Sequence, residues 1–363
     1  MPSLRTLLIL SRGSNLPTVW SNCLAAWWLG GGGHVWGLPV LLLGASLLYI
    51  GGMFLNDAVD ANFDRQHRRE RPIPSGQVSE RSVWGISAGL LATGAILVIA
   101  LGVLPVQPPA EEDSTKPLPV AGSIHALAAS ELRAEREGRS SSNVAGDPSA
   151  QEPPSIRNAN TKATEVSVPR TSRERADQTK RGTTTVGLTL ALVALIVFYD
   201  FIHKAAAFSP LLMGGCRTLL FLDAASVGQE GLTGLAVWSG LALGAYVAGL
   251  SYFARLERML RRPQWWPCLL LAVPLGLAFV VNAAEYRRDS MLLSLILGLW
   301  IVRSLRPALA SSQQNVSRSV ARLLAGIALV DLLAICGAPR EFSMVFLFLF
   351  CLTLLFQRFI PAT

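Results

Sequence analysis

Three aspartates carry the most concentrated chemistry in this chain. They lie in Tyr49–Asp64, YIGGMFLNDAVDANFD, which closes an apolar run without a charged residue from Val35 to Leu55. Asp57, Asp60 and Asp64 are spaced three and four residues apart, so on a helix they share one face, with Asn56 beside them. A carboxylate at membrane depth costs about 2.5–3.5 kcal/mol on insertion scales, so three together require cations or a wet cavity. Hard oxygen donors on one face, repelling one another until neutralised, suit Mg²⁺ and diphosphate chemistry. The plainer alternative is a solvated acidic helix end.

The elements that position this face are apolar. The chain has 363 residues, 51% of them hydrophobic, and a formal charge of +8. Its mean hydropathy is +0.41, and its apolar residues fall in runs near the ~20 residues that cross a bilayer. The fold class expected is therefore an all-α, polytopic integral-membrane bundle of nine or ten transmembrane helices. The first eleven residues read as an interfacial helix, because no small-residue cleavage site follows their short apolar run. The spans begin at about Leu16–Leu29 and Trp36–Asp57, and the late ones include Leu323–Cys336 and Phe342–Phe359.

Three regions are expected. Residues 1–104 hold the first membrane helices and the acidic motif, and residues 185–363 hold the remaining helices of the same bundle. Between them, residues 105–184 form an insert rich in Pro, Ser and mixed charge, without Phe, Trp or Tyr. Such a segment cannot bury enough surface to offset the entropy of ordering, and is read as disordered and dispensable for folding. Arginine-dense loops follow the second, sixth and eighth spans, and His203-Lys204 follows the fourth. The positive-inside rule places all of these, and the amino terminus, on the cytoplasmic side of a multi-pass protein. This distribution explains the basic excess and gives no case for nucleic acid. The five cysteines are scattered through apolar segments without paired spacing, and His34 reads as a turn.

Asn56 to Asp64 reads NDxxDxxxD and is followed by Arg71-Pro72-Ile73-Pro74-Ser75-Gly76. Together these resemble the first aspartate-rich motif and following loop of the UbiA superfamily of intramembrane prenyltransferases. NLPTVWSN, YDFIHK, SPLLMG with Cys216-Arg217, and SYFARLER extend the resemblance, and look most like the EboC-like branch. The resemblance implies Mg²⁺-dependent transfer of a prenyl group from a polyprenyl diphosphate donor to a lipophilic, often aromatic, acceptor within the lipid bilayer. It implies that Asn56, Asp57, Asp60 and Asp64 hold the metal and that Arg71 caps the diphosphate. Lys204 matches the family's basic position after the fourth helix, and Arg217 is a further candidate for a diphosphate oxygen. For Lys204 a topology role is an equal alternative, and for Arg68 and Arg69 it is preferred.

The sequence departs from the family where a second acidic motif belongs. Tyr252-Phe253-Ala254-Arg255-Leu256-Glu257-Arg258 has one carboxylate among arginines. Tyr252, Arg255 and Glu257 are carried as substrate-facing candidates. Either an arginine here replaces the second metal through forked, charge-assisted hydrogen bonds, or the fold persists with a changed reaction, or these charges are a membrane-edge ion pair. For Asp200 a pair with His203 or Lys204 and a plain helix-end charge are equal alternatives, and Asp223 has Arg217 or a neighbouring span as candidate partners. Three functions stay open: an integral-membrane prenyltransferase, a non-catalytic prenyl-lipid binding or export component on the same fold, and a transporter. The last predicts broken helices near the bilayer middle and two similar halves.

Overall fold

The computed structural model describes residues 4–33, 35–104, 170–204, 206–258, 266–281, 287–309 and 313–359. The expectations for His34 and for the insert at 105–169 lie outside them, as do the side chains of Glu257 and Arg258. Every regular element among the described residues is helical: α1 Leu4–Leu10, α2 Leu16–Leu29, α3 Gly37–Val59, α4 Ala61–His67, α5 Glu80–Val103, α6 Arg170–Ile202, α7 Ser209–Ser226, α8 Gly234–Arg258, α9 Trp266–Val281, α10 Arg287–Leu309, α11 Gln313–Ala325, α12 Ile327–Ala334 and α13 Arg340–Phe359.

Six of these, within α3, α5, α6, α8, α10 and α13, are long and apolar enough to cross a membrane. The others are shorter: α2 has 14 residues and α9 has 16. Two expected boundaries change. The insert was expected to run to residue 184, yet helix α6 begins at Arg170. Its first turns, RTSRERADQTKR, are charged but rich in residues that favour helix, so polarity there marks a helix end rather than a loop. The expected ninth span, Leu323–Cys336, is mostly the short helix α12, and much of the basic loop expected before it is helix α11, with the boundary at Gly326.

Side chains from three other helices meet that boundary. Tyr246 Oη donates to the Leu323 carbonyl at 2.9 Å, Trp300 Nε1 to Arg322 at 2.9 Å, and Gln357 Nε2 to Ala321 at 2.9 Å. Side chains thus donate to three carbonyls at the end of α11, one of which, Arg322, also accepts from the Gly326 amide at 3.0 Å. A Cβ at Gly326 would lie 2.6 Å from the Tyr246 hydroxyl, so only glycine admits the cap. The boundary at Gly326 is a mild one: its amide donates to the Arg322 carbonyl at 3.0 Å and its carbonyl accepts from Val330 at 3.1 Å, so the helical bonding runs through it.

Helix α3, which bears the aspartates, packs along α5 at small residues. A Cβ at Gly94 would meet the Gly44 carbonyl at 2.8 Å, the close approach that small residues permit between membrane helices. Ser87 Oγ fixes the register by donating to the Gly51 carbonyl at 2.8 Å. At the acidic end of α3 a separate apolar cluster forms from Leu10, Phe54, Ala58, Ala61, Ile73, Val78 and Val83. It ties α1 and the loop between α4 and α5 to the helix that carries the acids.

Candidate functional site

The chain leaves helix only briefly at Asp60, which caps α3 and starts α4. The Asp60 amide still donates to the Asn56 carbonyl and the Asp64 amide to the Asp60 carbonyl, both at 2.9 Å. The three aspartates therefore stay close to the spacing of one continuous helix. All are buried, with 9%, 7% and 2% exposure for Asp57, Asp60 and Asp64.

They do not act as one undivided face. Arg71 Nη1 bridges Asp57 Oδ1 at 3.2 Å and Asp64 Oδ2 at 3.0 Å. Asp60 Oδ1 instead meets Lys204 Nζ at 2.7 Å and His203 Nε2 at 3.5 Å. Burial pushes the Asp60 carboxyl up, but hydrogen bonds and charge from His203 and Lys204 outweigh it and leave Asp60 below its ordinary range. Lys204 also lies over the Phe63 ring, 3.9 Å from its centroid. Arg71 is held by the compact turn that follows it. The Ser75 amide donates to the Arg71 carbonyl at 2.9 Å, Gly76 takes φ 76°, and Ile73 and Val78 are buried beneath. Two prolines fix φ on this turn.

Two groups at the acids were not assigned from sequence. Arg12 adopts φ 45° and ψ 46°, a left-handed conformation that costs a non-glycine residue about 1–2 kcal/mol. Its Nη2 lies 4.0 Å from Asp57 Oδ1. A side-chain pair of Asp200 with His203 or Lys204 was one of its two readings. Its Oδ1 instead accepts from Asn56 Nδ2 at 3.1 Å, and His203 Nδ1 meets its backbone carbonyl at 2.9 Å. Asn56 thus spends its amide on Asp200. Asp64 Oδ1 and Asp200 Oδ2 are buried without a hydrogen-bond partner. Among the described residues no three His, Cys, Asp or Glu side chains converge as a ready-made metal cage.

The cations that pair with the motif aspartates line a cavity of about 920 Å³, at the upper end of the range for small-molecule sites, while the three aspartates themselves lie behind them. Arg12, Arg71, Lys204 and Arg255 line it together with Asp200, and Leu48, Ile196, Leu220 and Val247 line its apolar part. Arg255 faces the cavity as anticipated, with Nη1 donating to the Ala206 carbonyl at 2.5 Å and to Ser209 Oγ at 3.0 Å. Tyr252 does not line it; its ring packs edge-on against Trp266 at 4.5 Å. Arg217 lines it too, with its guanidinium 5.6 Å from the Tyr49 ring centroid and, among the described residues, no ion pair to the motif aspartates. Asp223 pairs with Thr189 Oγ1, at 3.0 Å to each carboxylate oxygen, rather than with Arg217.

Comparison with known proteins bears on this arrangement. Residues 14–107 match the UbiA prenyltransferase family. A 4-hydroxybenzoate octaprenyltransferase of Photobacterium profundum is 35% identical over 92 residues, 25% of this chain and 31% of the relative. A digeranylgeranylglyceryl phosphate synthase of Sulfolobus acidocaldarius is 38% identical over 68 residues, 19% of this chain and 24% of the relative. The matched stretch thus spans less than a third of either relative. The structure of a UbiA homologue from Aeropyrum pernix superposes with a TM-score of 0.54 at 14% identity, covering 91% of this chain and 98% of that one. The all-helical UbiA fold therefore extends far beyond the segment in which sequence similarity is detectable.

Proposed function

We propose that this chain, which carries a UbiA prenyltransferase family domain at residues 14–107, transfers a prenyl group from a polyprenyl diphosphate to a lipophilic acceptor within the membrane. The observation that carries the reading is the cavity: Arg71, Lys204 and Asp200 line it, the motif aspartates pair with Arg71 and Lys204 from behind, and apolar side chains line the rest. Mg²⁺ fits this donor set. The ion takes hard oxygens and is commonly held by one or two carboxylates together with substrate phosphates, so a three-acid cage is not required. Asp57, Asp60 and Asp64 are the carboxylates that would hold it, with the unpartnered oxygens of Asp64 and Asp200 adjacent.

When bound, the ion withdraws charge from the departing diphosphate. The chain's own residues do the rest. Arg71 and Lys204 hold the carboxylates neutralised and sit where phosphate oxygens arrive, and Arg12 and Arg255 add positive charge to the same cavity. Leu48, Ile196 and Val247 keep water from a developing allylic cation. Arg255 occupies the place of the missing second acidic motif and supports the reading in which an arginine contacts diphosphate directly. The EboC-like affiliation and a cytoplasm-facing site belong to this proposal.

The test uses purified full-length protein and labelled geranyl diphosphate, following diphosphate release with Mg²⁺ or with EDTA. Release that requires Mg²⁺ and is lost in Asp60→Asn supports the transferase. Tight binding of the lipid with no release under any acceptor tried moves the reading to the non-catalytic lipid-binding component.

A further inference from the structure

The ends of α10, α11 and α13 meet in a basic surface outside the cavity. Trp300 Nε1 on α10 and Gln357 Nε2 on α13 donate to the adjacent carbonyls of Arg322 and Ala321 on α11, both at 2.9 Å. Arg303 lies one turn beyond Trp300, Arg306 a turn further, and Arg358 follows Gln357 directly. Arg318 and Arg322 are one turn apart on α11 and share a face. Ser317, Val320 and Leu324 of the same helix line the cavity. Helix α11 is therefore a wall, with the cavity on one side and guanidinium groups on another.

These arginines have no protein counter-charge. Elsewhere the guanidinium groups are engaged: Arg65 pairs with Glu80, Arg71 with Asp57 and Asp64, and Arg255 bonds the Ala206 carbonyl and Ser209. Among the described residues, Arg303, Arg306, Arg318, Arg322 and Arg358 make no side-chain hydrogen bond or ion pair, and all but the half-buried Arg322 are exposed. The sequence supplies no acid nearby. Residues 290–339 hold one, Asp331, which is buried and accepts from Ser21 Oγ and Asn22 Nδ2, and residues 342–363 hold none. The surface leading to the arginines is apolar and exposed. On α10, Leu292, Leu295, Leu299 and Val302 recur at helical spacing and run into Arg303 and Arg306. On α13, Met344, Phe348 and Leu355 run into Arg358. Each stripe has the profile of a lipid-facing helix side whose last residues reach the headgroups.

We propose that this surface binds an anionic phospholipid. Its phosphate lies on the Arg318–Arg322 face of α11 with Arg303 and Arg306 beside it, and its acyl chains lie along the α10 stripe. Charge and setting decide the occupant: the bilayer supplies phosphate groups at the depth of the arginines and chains at the depth of the stripe. Clusters of about four to eight Lys or Arg beside a membrane helix attract anionic lipid, and the forked guanidinium matches phosphate oxygens. Topology alone requires positive charge at such a loop. It does not require that the charges converge from three helices on the outer side of a cavity wall. Lipid phosphate bound there steadies α11 and, with it, that wall. The site is independent of the transferase reading.

The test titrates full-length protein in detergent with dioleoylphosphatidylglycerol and with dioleoylphosphatidylcholine, following bound lipid by native mass spectrometry. The anionic lipid is expected to bind about tenfold more tightly or better. Arg318→Gln combined with Arg322→Gln removes most of that preference. Arg340→Gln, exposed at the opposite end of α13, leaves it unchanged. Should the α11 pair fail to fold, Arg303→Gln with Arg306→Gln takes its place, with a loss of about threefold or more expected. Equal affinity for the two lipids, an unchanged preference in these paired variants, or an equal loss in Arg340→Gln overturns the site. Displacement of the lipid by sodium phosphate, but not by sodium chloride of equal ionic strength, assigns the arginines to a free anion and also overturns it.

Discussion

The two polar groups of the cavity solve the same problem, buried charge, in opposite ways. At the aspartate end each acid touches a cation: Arg71 spans Asp57 and Asp64, and Lys204 meets Asp60. At the deeper end Arg217 and Asp331 are held apart by Asn22, whose oxygen accepts from the arginine and whose amide donates to the acid. Direct pairing suits a site whose ligand brings both a metal cation and phosphate anions, because each protein charge then has a counterpart to exchange for. Separation keeps the Arg217 guanidinium out of a direct ion pair. On the proposed reading the diphosphate belongs to the first group.

Removing a charge at the aspartate end should have the largest effect. Arg71→Ala leaves Asp57 and Asp64 facing each other and is expected to lower kcat/KM for prenyl diphosphate by about 10²-fold or more, on the scale of losing one preorganised electrostatic donor. Arg71→Lys should recover part of it, since one nitrogen, Nη1, makes both contacts. Full activity in Arg71→Ala would break the comparison. At the deeper end Asp331→Ala strands the Asn22 amide and the Ser21 hydroxyl and should cost about 1–3 kcal/mol of stability. A fall in Tm with unchanged affinity for prenyl diphosphate is the expected result.

Gly326→Ala probes the scaffold shared by both groups. Its Cβ would press on the Tyr246 hydroxyl and the Leu323 carbonyl, for an expected loss of about 1–3 kcal/mol, read as Tm in detergent. The smallest effect concerns pH. Asp60 titrates below its ordinary value, so its contribution to stability is complete above the unfolded-state pKa of about 3.9 and is lost as pH falls through the folded-state value. Acid unfolding of Lys204→Gln should therefore begin at higher pH than that of the wild type.

How much of this was legible in the sequence depended on contact range. The aspartates announced themselves by spacing within one helix, and Arg71 lies only 7 residues from Asp64. The deeper group joins residues 195 and 309 apart, and no local pattern marks Asn22 as the spacer between Arg217 and Asp331. Arg12 looked like one more arginine at a span's edge, because its left-handed backbone is invisible in composition. The boundary at Gly326 was hidden inside a continuous apolar run, since the donors that meet it come from three other helices. Conversely, the charged start of α6 read as insert because polarity masked good helix formers.

The central claim is that a prenyl diphosphate binds at the aspartate end of the cavity and not at Arg217. The most direct measurement is the affinity of an unreactive prenyl diphosphate analogue, with and without Mg²⁺, for the wild type, Asp60→Asn and Arg217→Gln. The account predicts Mg²⁺-strengthened binding in the wild type and in Arg217→Gln, and loss of that strengthening in Asp60→Asn. Equal loss in Arg217→Gln would contradict it and place both residues in one diphosphate site.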